Sequence, residues 1–107
     1  MANVYTNAKV DLTTTSVTTL YTAPALTTSV VNSILVSEDS GNADTITLTI
    51  TNSADAVFSL FKTKSISANA TTELLTAPLV VQTGEVLKAT AASSNRLHVV
   101  ASILEVT

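Results

Sequence analysis

Residues 45–51 read Thr-Ile-Thr-Leu-Thr-Ile-Thr, an unbroken alternation of hydroxyl and aliphatic side chains. A period of two is that of a β-strand, so Ile46, Leu48 and Ile50 share one sheet face and the threonines line the other. The pattern is wrong for a helix, and threonine's branched side chain opposes one as well. Threonine suits a solvated sheet face but supplies no strong acid, base or metal ligand. The segment therefore describes a stable strand without chemistry.

The same reading extends along the chain. Strands are predicted at 4–10, 16–22, 30–36, 45–51, 57–64, 86–91 and 97–106, with shorter ones at 72–75 and 79–82 flanking Pro78. Turn residues separate them at the spacing of a sandwich or barrel, and no segment sustains a helical period. The expected fold is all-β: a single antiparallel β-sandwich, immunoglobulin-like or jelly-roll, with seven or eight strands. One domain covers 1–107, with 1–10 as a docking arm or an edge strand. In the 30–36 segment Val30, Ile34 and Val36 fall on one parity and Val31 and Leu35 on the other, which predicts burial on both faces. In 57–64 the parity is mixed, so the strand is either apolar on both faces at its start or reset by a bulge near Phe61. Ile46, Leu48, Ile50, Leu87, Val99, Ala101 and Ile103 are expected to face a common core.

Composition narrows the function classes. Apolar residues make up 46% of the chain and charged residues 12%, against about a quarter charged in ordinary soluble proteins. Thr and Ser supply the remaining polarity. Such a surface suits large contacts, because few ionic groups must be desolvated when a partner docks. A net charge of −3, with Lys9, Lys62, Lys64, Lys88 and Arg96 scattered, argues against a nucleic-acid partner. No apolar run reaches the roughly 20 residues of a membrane-spanning helix, and the first residues do not resemble a signal peptide. No membrane partner is expected, and assembly in a cytoplasm is.

No catalytic residue, cofactor or metal is expected. The single histidine, His98, lies within 97–106, and a lone imidazole needs a nucleophile or carboxylate held beside it to act as a base. An ordinary surface or interface histidine is the preferred reading. No serine lies in a Gly-x-Ser-x-Gly elbow. The acidic turn 38–44 offers Asp39, Asn42 and Asp44 as weak metal candidates around Gly41, but it lacks the spacing of a calcium loop and reads better as a solvated hairpin turn. Gly41 and Gly84 are expected in turns with positive φ. Lys62 and Lys64 mark a solvated or edge-strand face. Residues 1–9 are the expected docking element, able to add as a strand to a neighbour's sheet, with Val4, Tyr5 and Lys9 as contact candidates.

Four stretches carry a family resemblance. Leu20-Tyr21-Thr22-Ala23-Pro24-Ala25 precedes the apolar strand Val30-Val31-Asn32-Ser33-Ile34-Leu35-Val36. Ile66-Ser67-Ala68-Asn69-Ala70-Thr71 forms a mid-chain strand and turn. Residues 79–91, Leu-Val-Val-Gln-Thr-Gly-Glu-Val-Leu-Lys-Ala-Thr-Ala, form an apolar strand, a Gly-acid turn and a Leu-Lys strand. Ala101-Ser102-Ile103-Leu104-Glu105 closes the chain. Together they resemble small all-β structural proteins of tailed bacteriophages, especially those of marine and cyanobacterial hosts. The longer acidic turn at 38–44 departs from the glycine-rich turn common in such proteins. The resemblance implies a non-enzymatic virion subunit, assembled in the host cytoplasm, homo-oligomeric, and bound to the major capsid protein or to neck and tail proteins. Capsid decoration (cement) is the leading expectation, a neck, collar or tail fitting the alternative. A carbohydrate-binding sandwich is the rival from another class, opposed by having only Tyr5, Tyr21, Phe58 and Phe61 for sugar stacking.

Overall fold

The computed structural model describes residues 3–107, which form nine strands and no helix: β1 (Asn3–Leu12), β2 (Thr18–Thr22), β3 (Thr28–Glu38), β4 (Asp44–Thr51), β5 (Val57–Ile66), β6 (Thr71–Glu73), β7 (Leu79–Val81), β8 (Val86–Ala91) and β9 (Leu97–Val106). One sheet runs β1-β9-β3 and ends on β6 and β7, which both pair β3. The other runs β2-β8-β4-β5, and the strand pairs are antiparallel. β6 pairs Leu35–Ser37 and β7 pairs Ser29–Val31, so the two occupy one strand position interrupted at 74–78. Counted that way the molecule has eight strand positions in two four-stranded sheets. Successive strands change sheet at nearly every connection, and only β4 and β5 form a hairpin. This is jelly-roll connectivity, not the immunoglobulin order.

The core lies between the sheets. Ile46, Leu48, Leu87, Val99, Ala101 and Ile103 are buried there, and Ile50 packs against them half-buried. All seven expected core residues therefore face one interior.

Two expectations about strand faces resolve into bulges. In β3, Val31 pairs Ile103 and Ser33 pairs Ser102, leaving Asn32 as an extra residue. The bulge shifts the phase, so Val31, Ile34 and Val36 all point inward and are fully buried, whereas Val30 is half-buried and Leu35 exposed. The strand is thus buried on one face, not two. In β5 the register shifts twice against β4, around Phe61, and Thr63 takes φ +51° with its N–H donating to Thr47 Oγ1 at 3.1 Å. The bulge alternative is the one adopted.

The 38–44 turn is not a hairpin, because β3 and β4 belong to different sheets. It is an arch across the sandwich, and Glu38 and Asp44 at its feet are buried. The registers place 13–17, 39–43, 67–70 and 92–96 at this end of the molecule. Connections 23–27, 52–56 and 82–85 lie at the other end, with Asn3 and Val106. The molecule measures 44 × 26 × 22 Å, so the two ends are well separated.

Candidate functional site: a polar end and an apolar end

At the arch end, Glu38 and Asp44 commit their carboxylates mainly to backbone N–H groups. Glu38 Oε2 accepts Ser40 N–H (2.8 Å) and Ser40 Oγ–H (2.5 Å), and Oε1 accepts the N–H groups of Gly41 and Asn69, each at 3.0 Å. Burial alone would raise this carboxyl, but the donors outweigh it and bring it from an ordinary 4.5 to about 2. Asp44 Oδ1 accepts Thr45 N–H at 2.8 Å and Oδ2 accepts Ser93 N–H at 3.2 Å. Gly41 has φ +83°, open space where a Cβ would lie, and therefore needs glycine for its backbone alone.

The weak metal candidates do not converge. Asp44 is buried on backbone donors, Asn42 is exposed, and Asp39 turns to His98. Among the described residues no group of three His, Cys, Asp or Glu gathers round one point.

His98 lies half-exposed on the outer face of β9 between two carboxylates. Its Nε2 is 3.2 Å from Asp11 Oδ1 and its Nδ1 is 3.4 Å from Asp39 Oδ2. Asp11 is its register partner on β1 and Ser37 its register partner on β3. The row Asp11, His98, Ser37 has the composition of a hydrolytic triad but not its geometry. Both ring nitrogens face carboxylates, and Ser37 Oγ shares a 3.0 Å hydrogen bond with Thr71 Oγ1. No nitrogen is aimed at the serine. The arrangement ties the β1 edge to the arch.

Two further carboxylates serve the fold. Where β6 breaks from β3, Glu73 Oε2 accepts Ile34 N–H at 2.8 Å and Leu75 N–H at 3.3 Å. Burial opposes the charge on Glu73, and these donors with the Ser33 hydroxyl outweigh it and lower its pKa. Across the sheets, Tyr21 Oη on β2 donates to Glu105 Oε2 at 2.5 Å and lies 2.6 Å from Ser29 Oγ on β3. Burial first, and the Glu105 carboxylate second, push the phenol up to about 12.

The other end of the sandwich is different. Of the eight large hydrophobic residues exposed on the described surface, Val4, Tyr5, Leu26, Val57, Phe58 and Val80 sit at or next to the end that carries 23–27, 52–56 and 82–85. Leu26 is 91% exposed and has φ +57°, a backbone that costs a leucine roughly 1–2 kcal/mol. On the outer face the register lines up Tyr5, Leu104, Val30 and Val80 across four strands. The outer face of the β2-β8-β4-β5 sheet instead presents Thr47, Thr49, Lys88 and Thr90. Of the contact candidates, Val4 and Tyr5 belong to the apolar end. Lys9 lies exposed further along β1, with Nζ 3.5 Å from Asn7 Oδ1.

Sequence reasoning missed Leu26, Val57, Phe58 and Val80 as exposed residues that share one end of the sandwich. The signal available was local: three apolar residues in succession at 79–81 force one outward, and Leu26 stands alone in a loop. Residues 3–12 are not a free arm. They pair with β9 over the whole of β1, so the edge-strand form of that expectation is the one present, and residues 1 and 2 lie outside the described residues. Compared with protein-family models, curated proteins and solved structures, the chain finds no match among them.

Proposed function

We propose that the protein is a non-enzymatic structural subunit of a tailed-bacteriophage particle, with capsid decoration as its leading role. The observation that carries the subunit reading is the gathering of six exposed hydrophobic side chains at one end of an elongated sandwich. Exposed apolar groups gathered this way mark surfaces that a partner covers. The phage assignment is supported by the resemblance of 20–25 with 30–36, 66–71, 79–91 and 101–105 to small phage structural proteins. The occupant of the apolar end is a shell protein of the particle. Leu26 and Val80 are the anchors, and the hydroxyl-rich outer face of β4 and β8 stays in solvent. Each contact is modest, and the many sites on a shell give repeated docking.

An antibody to the recombinant protein, used on gradient-separated heads, tails and whole particles from the source of the sequence, tests this. The protein is expected in the head and whole-particle fractions. Recovery with tails alone would move it to a neck or tail fitting. Absence from all three would end the virion reading, and glycan binding by the free protein would then favour a lectin.

A further inference from the structure

A sandwich of two open sheets has four edges, and three of them here carry devices that block strand addition. β5 is bulged twice, holds Thr63 at φ +51° and displays Lys62 and Lys64. The β6/β7 edge is broken at 74–78, with Pro78 in the break. β2 is five residues long and carries a register shift at Leu20. Bulges, prolines, charges and short length are how proteins protect edges from pairing.

β1 has no bulge, no proline and no shortening, and its two charges are of opposite sign. It is ten residues long, pairs β9 from Asn3 to Leu12 without a register shift, and contains neither Pro nor Gly. Its only charges are Lys9 and Asp11, and its other side is open.

We propose that β1 pairs antiparallel with β1 of a second copy, about a two-fold axis through Asn7, joining two sheets into one. An antiparallel two-fold keeps each face on its own side, so outward residues meet outward residues. Centred on Asn7, the pairing uses all of residues 3–11. Val4 meets Val10 and Thr6 meets Ala8 on the inner side. On the outer side Asn3 meets Asp11 and Tyr5 meets Lys9. No like charges oppose each other, and the lysine ammonium lies over a tyrosine ring that is 79% exposed in the single chain. The only self-opposed residue is Asn7, which is uncharged and exposed. This inference names the second copy within the subunit reading and rests on that reading for its biological sense.

The chain has no cysteine, which makes the test clean. At the two-fold, Asn7 and its copy would stand about 4.5–5.5 Å apart between Cα atoms, within disulfide range. The two copies of Lys9 would be about 14 Å apart. Asn7→Cys is expected to form a covalent dimer on oxidation and Lys9→Cys is not. In sedimentation equilibrium the unmodified chain should be dimeric. Asn7→Lys, which sets like charges face to face, should weaken the dimer about tenfold or more with unchanged circular dichroism. A monomeric unmodified chain, a dimer indifferent to Asn7→Lys, or cross-linking of Lys9→Cys as ready as that of Asn7→Cys would each overturn the pairing. A monomer that still fractionates with particles would leave the subunit reading standing. A dimer absent from particles would do the reverse.

Discussion

Leu48→Ala is expected to lower the unfolding free energy by about 2–5 kcal/mol, the cost of removing a buried leucine and leaving a cavity behind it. Leu48 is fully buried on β4, between Ala89 of β8 and Phe61 of β5 in the register. Its neighbour Thr47 faces the other way, and its hydroxyl accepts the Thr63 N–H. Thr47→Ala should therefore cost about 0.5–1.5 kcal/mol, the worth of one hydrogen bond. Urea unfolding of both variants beside the parent measures the difference. A loss of that size at position 48 alone, up to about half of a typical domain's stability, would show as a clear fall in midpoint. Equal, small shifts at 47 and 48 would contradict the facing of β4.

Glu38→Gln is expected to be the most damaging change outside the core, and its effect should depend on pH. The carboxylate accepts four hydrogen bonds that tie one foot of the arch to Ser40 and Gly41 within it and to Asn69 on a separate connection. Glutamine keeps one acceptor oxygen and presents an amide N–H₂ where N–H donors already point, so at least one backbone N–H faces another donor. The folded carboxyl sits at about 2 and the unfolded one near its ordinary 4.5. Between those values the unfolded chain binds the extra proton. The stabilisation is therefore complete above about 4.5 and falls away as the pH drops towards 2. Glu73, also lowered, acts in the same direction. Stability measured at pH 7 and again near pH 2 should show a large gap between parent and Glu38→Gln at the first and a much smaller one at the second. A gap that does not narrow would mean that Glu38 acts through packing and not through its charge.

Much of the fold was legible because alternation reports facing directly. Ile46, Leu48, Val99 and Ile103 could be placed inside from period two alone. β3 was misread because Asn32 inserts one residue without a glycine or proline to mark it, and one residue is enough to swap every face beyond it. The 38–44 turn was misread for a related reason. Acid, serine and glycine suit a hairpin and an arch equally well, and what distinguishes them is the Asn69 N–H, 31 residues away. His98 could be found as the only imidazole, but its carboxylates, Asp11 and Asp39, come from β1 and the arch, and only the strand order brings them together. The apolar end is harder still. It draws on β1, 23–27, β5 and β7, none of which looks unusual alone, and it exists only once jelly-roll connectivity has gathered those segments.

The claim that matters most is that this end is the docking surface of a particle subunit. The direct measurement is co-sedimentation of labelled protein with purified particles, the parent beside a Leu26→Ser, Val80→Ser double variant. Both residues are exposed, at 91% and 50%, so the variant should fold and melt like the parent. The account predicts that the parent sediments with the particles and the variant remains in the supernatant. A variant that sediments as fully as the parent, or a parent that never sediments, would contradict it.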